Sequence, residues 1–173
     1  MIEGVAIRLR VWRENDLPVL TALRNDVALQ AQLLARVRGS GVEQVRNWLQ
    51  DRSSRPGKLI FIIADRETDA TLGFVQITDM DLADRRAELG ICLIREAQGH
   101  GAGSESLRLA CAYLRDTWGL RKISLKVRAD NAVAIHCYRR VGFEPCGLLR
   151  QHVFIEGAWQ DIMLMDLFLE PES

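Results

Sequence analysis

Three glycines at alternate positions, Gly99, Gly101 and Gly103, lie in the segment EAQGHGAGSESLRLACAYL (residues 96–114), directly before a helical pattern. Glycine has no Cβ, so the backbone at these positions can approach a ligand closely. The first N–H groups of the following helix are unpaired, and the positive end of its dipole faces the same place. This arrangement predicts an anion site whose usual occupant is a phosphate or a pyrophosphate.

Two common nucleotide-binding motifs do not fit this loop. A P-loop requires GxxxxGK followed by Ser or Thr, and the loop contains no lysine. A dinucleotide fingerprint requires a third glycine three positions after the second, where this sequence has Ser104. That fingerprint also follows the first strand of a βαβ series, whereas here other strands and helices come first. The spacing therefore excludes both motifs.

The cysteines and histidines do not indicate a metal site. The four cysteines form no CxxC pair, and the three histidines are widely separated in the sequence. A buried free thiol behaves as a small apolar residue. We therefore predict structural thiols at positions 92, 111, 137 and 146, and no bound metal.

The elements that must position the loop are predicted from hydrophobic periodicity. The chain alternates strand and helix patterns in the order β-α-α-β-β-β-α-β-α-β-β, which is typical of an α+β fold. A strand at 86–94 leads into the glycine loop, and a helix at 102–118 follows it. A strand at 122–127 and a helix ending at Gly142 come next. The last two strands flank a turn at Glu156 and Gly157.

The loop matches the motif Q/R-x-x-G-x-G/A through Gln98, Gly101 and Gly103. In this it resembles the pyrophosphate loop of the GNAT superfamily of acetyl-CoA-dependent N-acetyltransferases. The segment DNAVAIHCYRRVGF (130–143) is similar to the helix and strand that follow in that family. IRLRVWRENDLPVL (7–20) and LLRQHVFIEGAWQDIMLMDL (148–167) resemble the branch that contains the ribosomal-protein N-terminal (Rim-type) acetyltransferases. The resemblance covers nearly the whole chain and is weakest over residues 28–55.

The resemblance implies a single α+β GNAT-like domain over residues 1–173. Its central sheet would be mixed and mostly antiparallel, with about seven strands flanked by about four helices. The sheet would be splayed between the strands at 86–94 and 122–127. The cosubstrate would be acetyl-CoA, and no metal would be required.

The same resemblance implies where acetyl-CoA binds. The backbone of residues 89–94 would pair with the pantetheine arm, and Asn131 would contact CoA while also capping its helix. The amides near the thioester would be those of Ile91, Cys92 and Leu93. The pyrophosphate would be held by Gln98, Gly99, His100, Gly101, Ala102, Gly103 and Ser104.

Two catalytic residues are implied. Tyr138 matches the family tyrosine that protonates the leaving sulfur, and Glu88 matches a glutamate that receives the amine proton through water. The alternatives are a buried aromatic residue and a charged residue on the solvent side of the sheet. Because seven residues make about two helical turns, Tyr138 is expected on the Asn131 side of its helix. Val133, Ala134 and Cys137 are then expected to pack on the sheet.

The overall composition restricts the partners. Lys plus Arg and Asp plus Glu both number 23, so the net charge is zero and no global field favours nucleic acid or an anionic membrane. The sequence contains no apolar run of about 18 residues, and its first residues, MIEGVAIRLR, lack a signal-peptide pattern. We therefore expect a cytoplasmic enzyme with no nucleic-acid or membrane partner, and a homodimer is compatible with the sequence.

The acceptor is left open by the sequence. The first expectation is a protein N-terminal α-amine. The alternatives are the amine of a nucleotide-linked aminosugar and a polyamine or another small-molecule amine. A non-catalytic acetyl-CoA-binding sensor is an alternative of a different class.

Overall fold

The computed structural model describes residues 1–169, which form one mixed sheet with helices on both faces. The strands are β1 (Ile2–Glu3), β2 (Ile7–Arg10), β3 (Leu59–Asp65), β4 (Thr71–Asp81), β5 (Arg86–Leu93), β6 (Lys122–Arg128), β7 (Glu144–Ile155) and β8 (Ala158–Phe168). The helices are α1 (Leu17–Asn25), α2 (Val27–Gln32), α3 (Val42–Ser54), α4 (Ala102–Trp118) and α5 (Ala132–Val141). Short 3-10 turns precede α1 and α4.

The predicted α+β fold and element order are confirmed, with two additions. The described residues contain eight strands and five α-helices rather than about seven and about four. The additional strand, β1, is only two residues long, and the additional helix, α2, is six residues long. Both are too short to produce a hydrophobic period. The Asp26 carboxylate, which accepts from the Leu29 amide at 2.9 Å, is the local signal that begins α2.

The strands lie in the order β1-β2-β3-β4-β5-β6-β8-β7, and all neighbours are antiparallel except β5 and β6. One face of the sheet packs against α4 and α5 through a core that includes Leu107, Leu114 and Phe143. The other face packs against α1 and α3 through a second core that includes Leu20 and Leu49. The sheet therefore separates two apolar layers.

The parallel pair of strands is splayed, as expected. Register between β5 and β6 runs only from Arg86, opposite Lys122, to Glu88, opposite Ser124. Beyond that point β5 continues on β4 to Leu93, and β6 continues on β8 to Arg128. The two strands thus diverge and leave a gap between them, which begins one residue after Glu88.

Candidate active site

The gap exposes one row of backbone groups on β5. The Ile94 amide donates to the Leu72 carbonyl of β4 at 2.8 Å, and the direction of backbone groups alternates along a strand. The amides of Leu89, Ile91 and Leu93 therefore point away from β4; Leu89 is still within reach of the paired Ser124 of β6, whereas Ile91 and Leu93 face the gap. The Cys92 amide points toward β4, where Cys92 lies opposite Phe74. The structure thus corrects the expectation for the Cys92 amide, which does not face the gap.

The loop after β5 is tied to the strand by Gln98. Its side-chain Nε2 donates to the Leu93 carbonyl at 3.1 Å, across the end of the gap. Gly99 and Gly101 follow with φ of 78° and 88°, in the left-handed region that disfavours other residues. A Cβ on either glycine would meet nothing within 4 Å. The backbone conformation is therefore the main reason for glycine at these two positions. The space around the loop is open, and His100 in the same loop is exposed.

The N-terminus of α4 presents uncapped amides beside this loop. The first intrahelical bond runs from the Glu105 amide to the Gly101 carbonyl at 3.0 Å, and Gly101 supplies no side-chain cap. The amides of Ala102, Gly103 and Ser104 therefore precede the helical ladder. The Glu105 carboxylate accepts from the Val5 and Ala6 amides, so it is directed away from the loop. This helix end has the features of an anion site.

The same helix end packs against α5. Ser104 is buried, and its Oγ lies 3.4 Å from the Sγ of Cys137. A Cβ on Gly103 would lie 3.5 Å from both that Sγ and a methyl group of Leu93, so Gly103 permits close packing here. The Oδ1 of Asn131 accepts from the Ala134 amide at 3.2 Å and so caps α5 as expected. The Nδ2 of Asn131 remains as a donor.

Tyr138 lies in the core on the α4 side of the sheet. It is only 8% exposed, and its ring packs edge-on against Phe143 with the centroids 6.0 Å apart. Burial raises the pKa of Tyr138 well above its usual value, and the Cys137 and Cys92 thiols add to that shift. The neighbouring Cys137 contacts Ser104 at the start of α4, so this part of α5 adjoins the glycine loop. Tyr138 thus carries a protonated phenol in the helix that packs beside the loop.

The expected facing of α5 is partly wrong. Ala134 and Cys137 pack against the core as predicted, but Val133 is 80% exposed. Tyr138 shares the core-facing side with Ala134 and Cys137 instead of standing apart from them. The spacing of seven residues predicts that Asn131 and Tyr138 point in similar directions from the helix. It does not predict which side of the helix packs on the sheet.

Glu88 lies where the gap begins, and it has a partner that the sequence analysis missed. Its carboxylate forms an ion pair with the Lys126 ammonium, Nζ to Oε2, at 3.1 Å. Ser124 of β6 lies opposite Glu88, so Lys126 is two residues further along the same face of β6. The apolar–polar alternation of KISLKV (122–127) indicates which face of β6 carries Lys126. That this face meets Glu88 follows only from the parallel register of β5 and β6.

The side chain of Cys92 lies on the face of β5 that is opposite to Tyr138. Burial and the nearby Asp26 carboxylate raise the pKa of Cys92 to about 12, and the Arg24 charge opposes this shift. The thiol is therefore unreactive at neutral pH. All four cysteines are free: Cys92 and Cys111 are buried as predicted for structural thiols, Cys137 is half-buried, and Cys146 is exposed, so the prediction is wrong for Cys146.

The profile of the Acetyltransferase (GNAT) domain matches residues 6–144, most of the chain. The chain belongs to the GNAT acetyltransferase family. Two curated relatives from Escherichia coli (strain K12) show the range of similarity. Spermidine N(1)-acetyltransferase is 34% identical over 96 residues, or 56% of this chain and 52% of that protein. Ribosomal-protein-serine acetyltransferase is 28% identical over 96 residues, or 56% of this chain and 54% of that protein. The matches thus span about half the length of these relatives.

A solved structure confirms the GNAT fold along nearly the whole chain. The crystal structure of spermidine N-acetyltransferase from Vibrio cholerae, in complex with CoA and spermine, superimposes with a TM-score of 0.88. It is 23% identical in sequence and covers 96% of this chain and 97% of that one. The predicted family membership is therefore confirmed in both sequence and fold, and the relatives include a Rim-type enzyme at lower identity than the spermidine enzymes.

Two further observations concern the described part of the chain. Within residues 1–169, no helix is long and apolar enough to cross a membrane. Across the same residues, no group of three or more His, Cys, Asp or Glu side chains is arranged to hold a metal ion.

Proposed function

We propose that this protein is an acetyl-CoA-dependent N-acetyltransferase that acts on a primary amine. The observation that carries the proposal is the diverging strand β5, whose free amides at Ile91 and Leu93 lead directly to the uncapped N-terminus of α4. The strand offers hydrogen bonds to an extended, amide-containing arm. The helix end and loop offer backbone donors to a pyrophosphate. The donors present therefore fit CoA, and acetyl-CoA would supply an acetyl thioester at the gap.

The residues around the gap match the needs of acetyl transfer. The amine nitrogen forms a bond to the thioester carbonyl carbon, and the carbon–sulfur bond then breaks. Free amides on β5 can donate to the oxygen that becomes negative during the attack. The high pKa of Tyr138 keeps its phenol protonated at neutral pH, so the hydroxyl can give its proton to the departing sulfur. CoA leaves as a thiol, and the acetylated nitrogen returns one proton to the Tyr138 phenolate. The acceptor has already given up its other proton to a base, since only the neutral amine attacks.

Glu88 is proposed to receive that amine proton, through water. Its position at the opening of the gap supports this role, since the carboxylate lies beside the free segment of β5. Lys126 occupies part of its hydrogen-bonding capacity. The ion pair fixes the orientation of the carboxylate and leaves its remaining lone pairs for a water molecule.

Two acceptors have support from relatives. A polyamine is supported by spermidine N(1)-acetyltransferases that are 34% identical over 96 residues and 31% identical over 105 residues. A protein acceptor is supported by the ribosomal-protein-serine acetyltransferase, at 28%. The comparisons thus favour the polyamine over our first expectation from the sequence. A primary amine is common to both.

Turnover is tested by measuring thiol release from acetyl-CoA across a panel of amines. The panel contains spermidine, peptides with free N-termini and nucleotide-linked aminosugars. An active enzyme releases CoA only when an acceptor is present, and the acetylated product is identified by mass spectrometry. CoA binding without turnover on any amine would instead support the non-catalytic sensor.

The cosubstrate site is tested by a pair of glycine substitutions at the two ends of α4. Gly101 and Gly119 both have positive φ, and a Cβ on either meets nothing within 4 Å. Gly101→Val and Gly119→Val therefore introduce similar backbone strain, but only the first places a branched side chain at the loop. We expect CoA to raise the melting temperature of the wild type and Gly119→Val, but not of Gly101→Val. An equal CoA-induced rise in all three proteins would contradict the loop assignment.

A further inference from the structure

Two arginines on the α1 and α3 side of the sheet have no acidic partner. Among residues 1–169, neither Arg24 of α1 nor Arg52 of α3 takes part in a hydrogen bond or ion pair, and the Nε of each is buried without a partner. The Arg24 guanidinium lies over the Trp48 ring, 4.3 Å from its centroid. Arg52 follows Trp48 by four residues on α3, so the two are neighbours on one face of that helix. Burial and the Arg52 charge also lower the pKa of Arg24.

These arginines lie beside the free segment of β5. Trp48 packs edge-on against Phe74, with the centroids 5.0 Å apart, and Phe74 lies opposite Cys92 of β5. The Arg24 charge bears on the Cys92 thiol, which places the guanidinium near that residue. The arginines therefore approach the strand of the gap from the face opposite Tyr138.

Two more buried polar atoms without partners lie on α1 and β4, close to the group formed by Arg24, Trp48 and Arg52. They are the Thr21 Oγ1, one turn before Arg24, and the Gln76 Oε1 of β4. Gln76 lies opposite Gly90 of β5, where a Cβ would come within 3.4 Å of the Gln76 side chain. Buried polar groups are normally hydrogen-bonded, so four unsatisfied atoms on adjoining elements point to a ligand.

The nearby carboxylates are already engaged. Asp51 pairs with Arg55 and with Lys58, at 2.9 Å for the lysine. Asp26 accepts from Arg95 at 3.0 Å and caps α2. The connecting segment 27–42 contains Arg36 and Arg38 but no Asp or Glu. An unpaired, partly buried cation is costly, and an anion of the ligand would supply the missing partner.

We propose that Arg24 and Arg52 bind an anionic group, a carboxylate or a phosphate, on the same molecule as the acceptor amine. The planar guanidinium fork matches both oxyanions. The inference rests on the proposed function and narrows it: the acceptor is an amine that carries an anion, and a polycation such as spermidine is disfavoured at this position. The free Gln76 Oε1 lies beside β5, where it can accept from the amine.

The test compares matched acceptors that differ in the anion. O-phosphoethanolamine is paired with ethanolamine, β-alanine is paired with β-alaninamide, and spermidine is the polycation. We expect kcat/KM for an anionic member to exceed that of its neutral partner by on the order of 10- to 100-fold, as for a hydrogen-bonded charge. The pair with the larger ratio distinguishes phosphate from carboxylate.

Substitutions of the two arginines test whether they cause the preference for the anionic acceptor. Arg24→Gln and Arg52→Gln should each reduce the ratio about tenfold or more and should improve the use of spermidine. Arg46→Gln is the matched control, because Arg46 lies on α3 but pairs at the surface with Glu14 and Glu43. It should keep the wild-type ratio. Thermal melts of each variant check that the fold is retained.

A binding measurement separates this inference from the proposed function. Calorimetric titration of O-phosphoethanolamine and β-alanine into the CoA-bound protein should show binding in the wild type, and loss of binding in Arg24→Gln and Arg52→Gln. Normal stabilisation by CoA with neither anionic amine bound, or equal ratios in wild type and variants, would overturn the anion site and leave the acetyltransferase proposal intact. Failure of CoA to bind would instead refute the proposed function.

Discussion

Tyr138 combines burial with a hydroxyl that has no hydrogen-bond acceptor among the described residues. The hydroxyl is not one of the fully buried atoms that lack a partner, so it keeps some contact with solvent although the ring is buried. The raised pKa means that the group acts as a proton donor and not as a phenolate at neutral pH. Tyr138 shares a core with Ile91 and Leu93 of β5, the strand where the thioester is proposed to bind.

Replacing Tyr138 with Phe tests that role. The substitution removes one oxygen and keeps the edge-on contact with Phe143, so stability should change little. Loss of a general acid commonly costs on the order of 100- to 10,000-fold in rate. We expect turnover to fall within that range while the affinity for acetyl-CoA stays within a few-fold, measured by steady-state kinetics and calorimetry. Wild-type turnover, with CoA release shown not to be limiting, would return Tyr138 to a packing role.

Glu88 and Lys126 can be separated by a second pair of variants. Glu88→Gln removes the proposed proton acceptor, and its turnover should fall most at low pH and with amines of high pKa, where the protonated amine predominates. Lys126→Gln breaks the same ion pair but keeps the carboxylate, so it should retain most of the activity. The pH–rate profiles of both are compared with wild type. A profile unchanged in Glu88→Gln would assign the base elsewhere.

The sequence predicts which residues are the candidate catalytic ones, but it does not predict the side chains that surround them. Tyr138 and Glu88 stand in a motif, so their positions follow from the sequence. The Lys126 partner, the side of α5 that Tyr138 occupies and the arginine cluster depend on which strands become neighbours. Those neighbours lie far apart in the sequence, so no local pattern encodes the contacts.

At the scale of elements, the divergence of β5 from β6 is the feature on which the proposed function depends. Helix α4 was predicted with its observed ends because Gly101 and Gly119 bracket a strong period. The splay itself followed only from the family resemblance, since both strands carry ordinary strand patterns. A gap in a sheet has no local sequence signature, because each strand satisfies its other neighbour.

Hydrogen exchange at β5 should report the gap directly. The amides of Ile91 and Leu93 face the gap, whereas those of Gly90 and Cys92 face β4. Adding CoA should slow exchange at Ile91 and Leu93 and leave Gly90 and Cys92 nearly unchanged, because the latter are already paired. NMR with residue resolution measures both sets in one experiment. Equal protection of all four amides would contradict strand-like binding along this edge.

At the scale of the whole molecule, a buried charge network joins the N-terminal strand to the rest of the sheet. Arg10 of β2 is 3% exposed, and it donates twice to Asp16 at 2.9 Å. Asp16 also accepts from Thr71 of β4 at 2.6 Å, and Asp69 binds Arg10 at 3.0 Å. An alternating pattern such as IRLR is typical of a half-buried strand whose charged side chains face solvent. Arg10 departs from that pattern because a distant carboxylate compensates its charge.

Because of this network, the free energy of unfolding should depend on pH in the acid range. Burial alone would raise the pKa of Asp16, but hydrogen bonds from Arg10, Thr71 and the Arg13 amide outweigh it, so the pKa is lowered. A carboxyl with a lowered pKa stabilises the fold above its unfolded value of about 3.9, and this contribution is lost as pH falls through the folded value. Urea unfolding from pH 7 to pH 2 should show that loss.

Asp16→Asn should flatten this acid dependence and destabilise the protein at pH 7 by about 1–3 kcal/mol, because Arg10 loses one charged partner but keeps its ion pair with Asp69. Asp116→Asn serves as the control, because Asp116 pairs with Arg115 at the surface. It should leave the unfolding midpoint at pH 7 unchanged. If both variants unfold alike, the Arg10–Asp16 pair does not stabilise the fold.

The strand order also has a consequence for synthesis. Strand β8 lies between β6 and β7, although it follows both in the chain. On the ribosome, β6 and β7 therefore emerge before the strand that joins them, and β6 meets only the short parallel stretch of β5 until residues 158–168 are released. Native pairing in this half of the sheet thus waits until translation has passed β8. A nascent chain stalled before that point exposes unpaired strand edges on β6 and β7, and such edges are prone to aggregate.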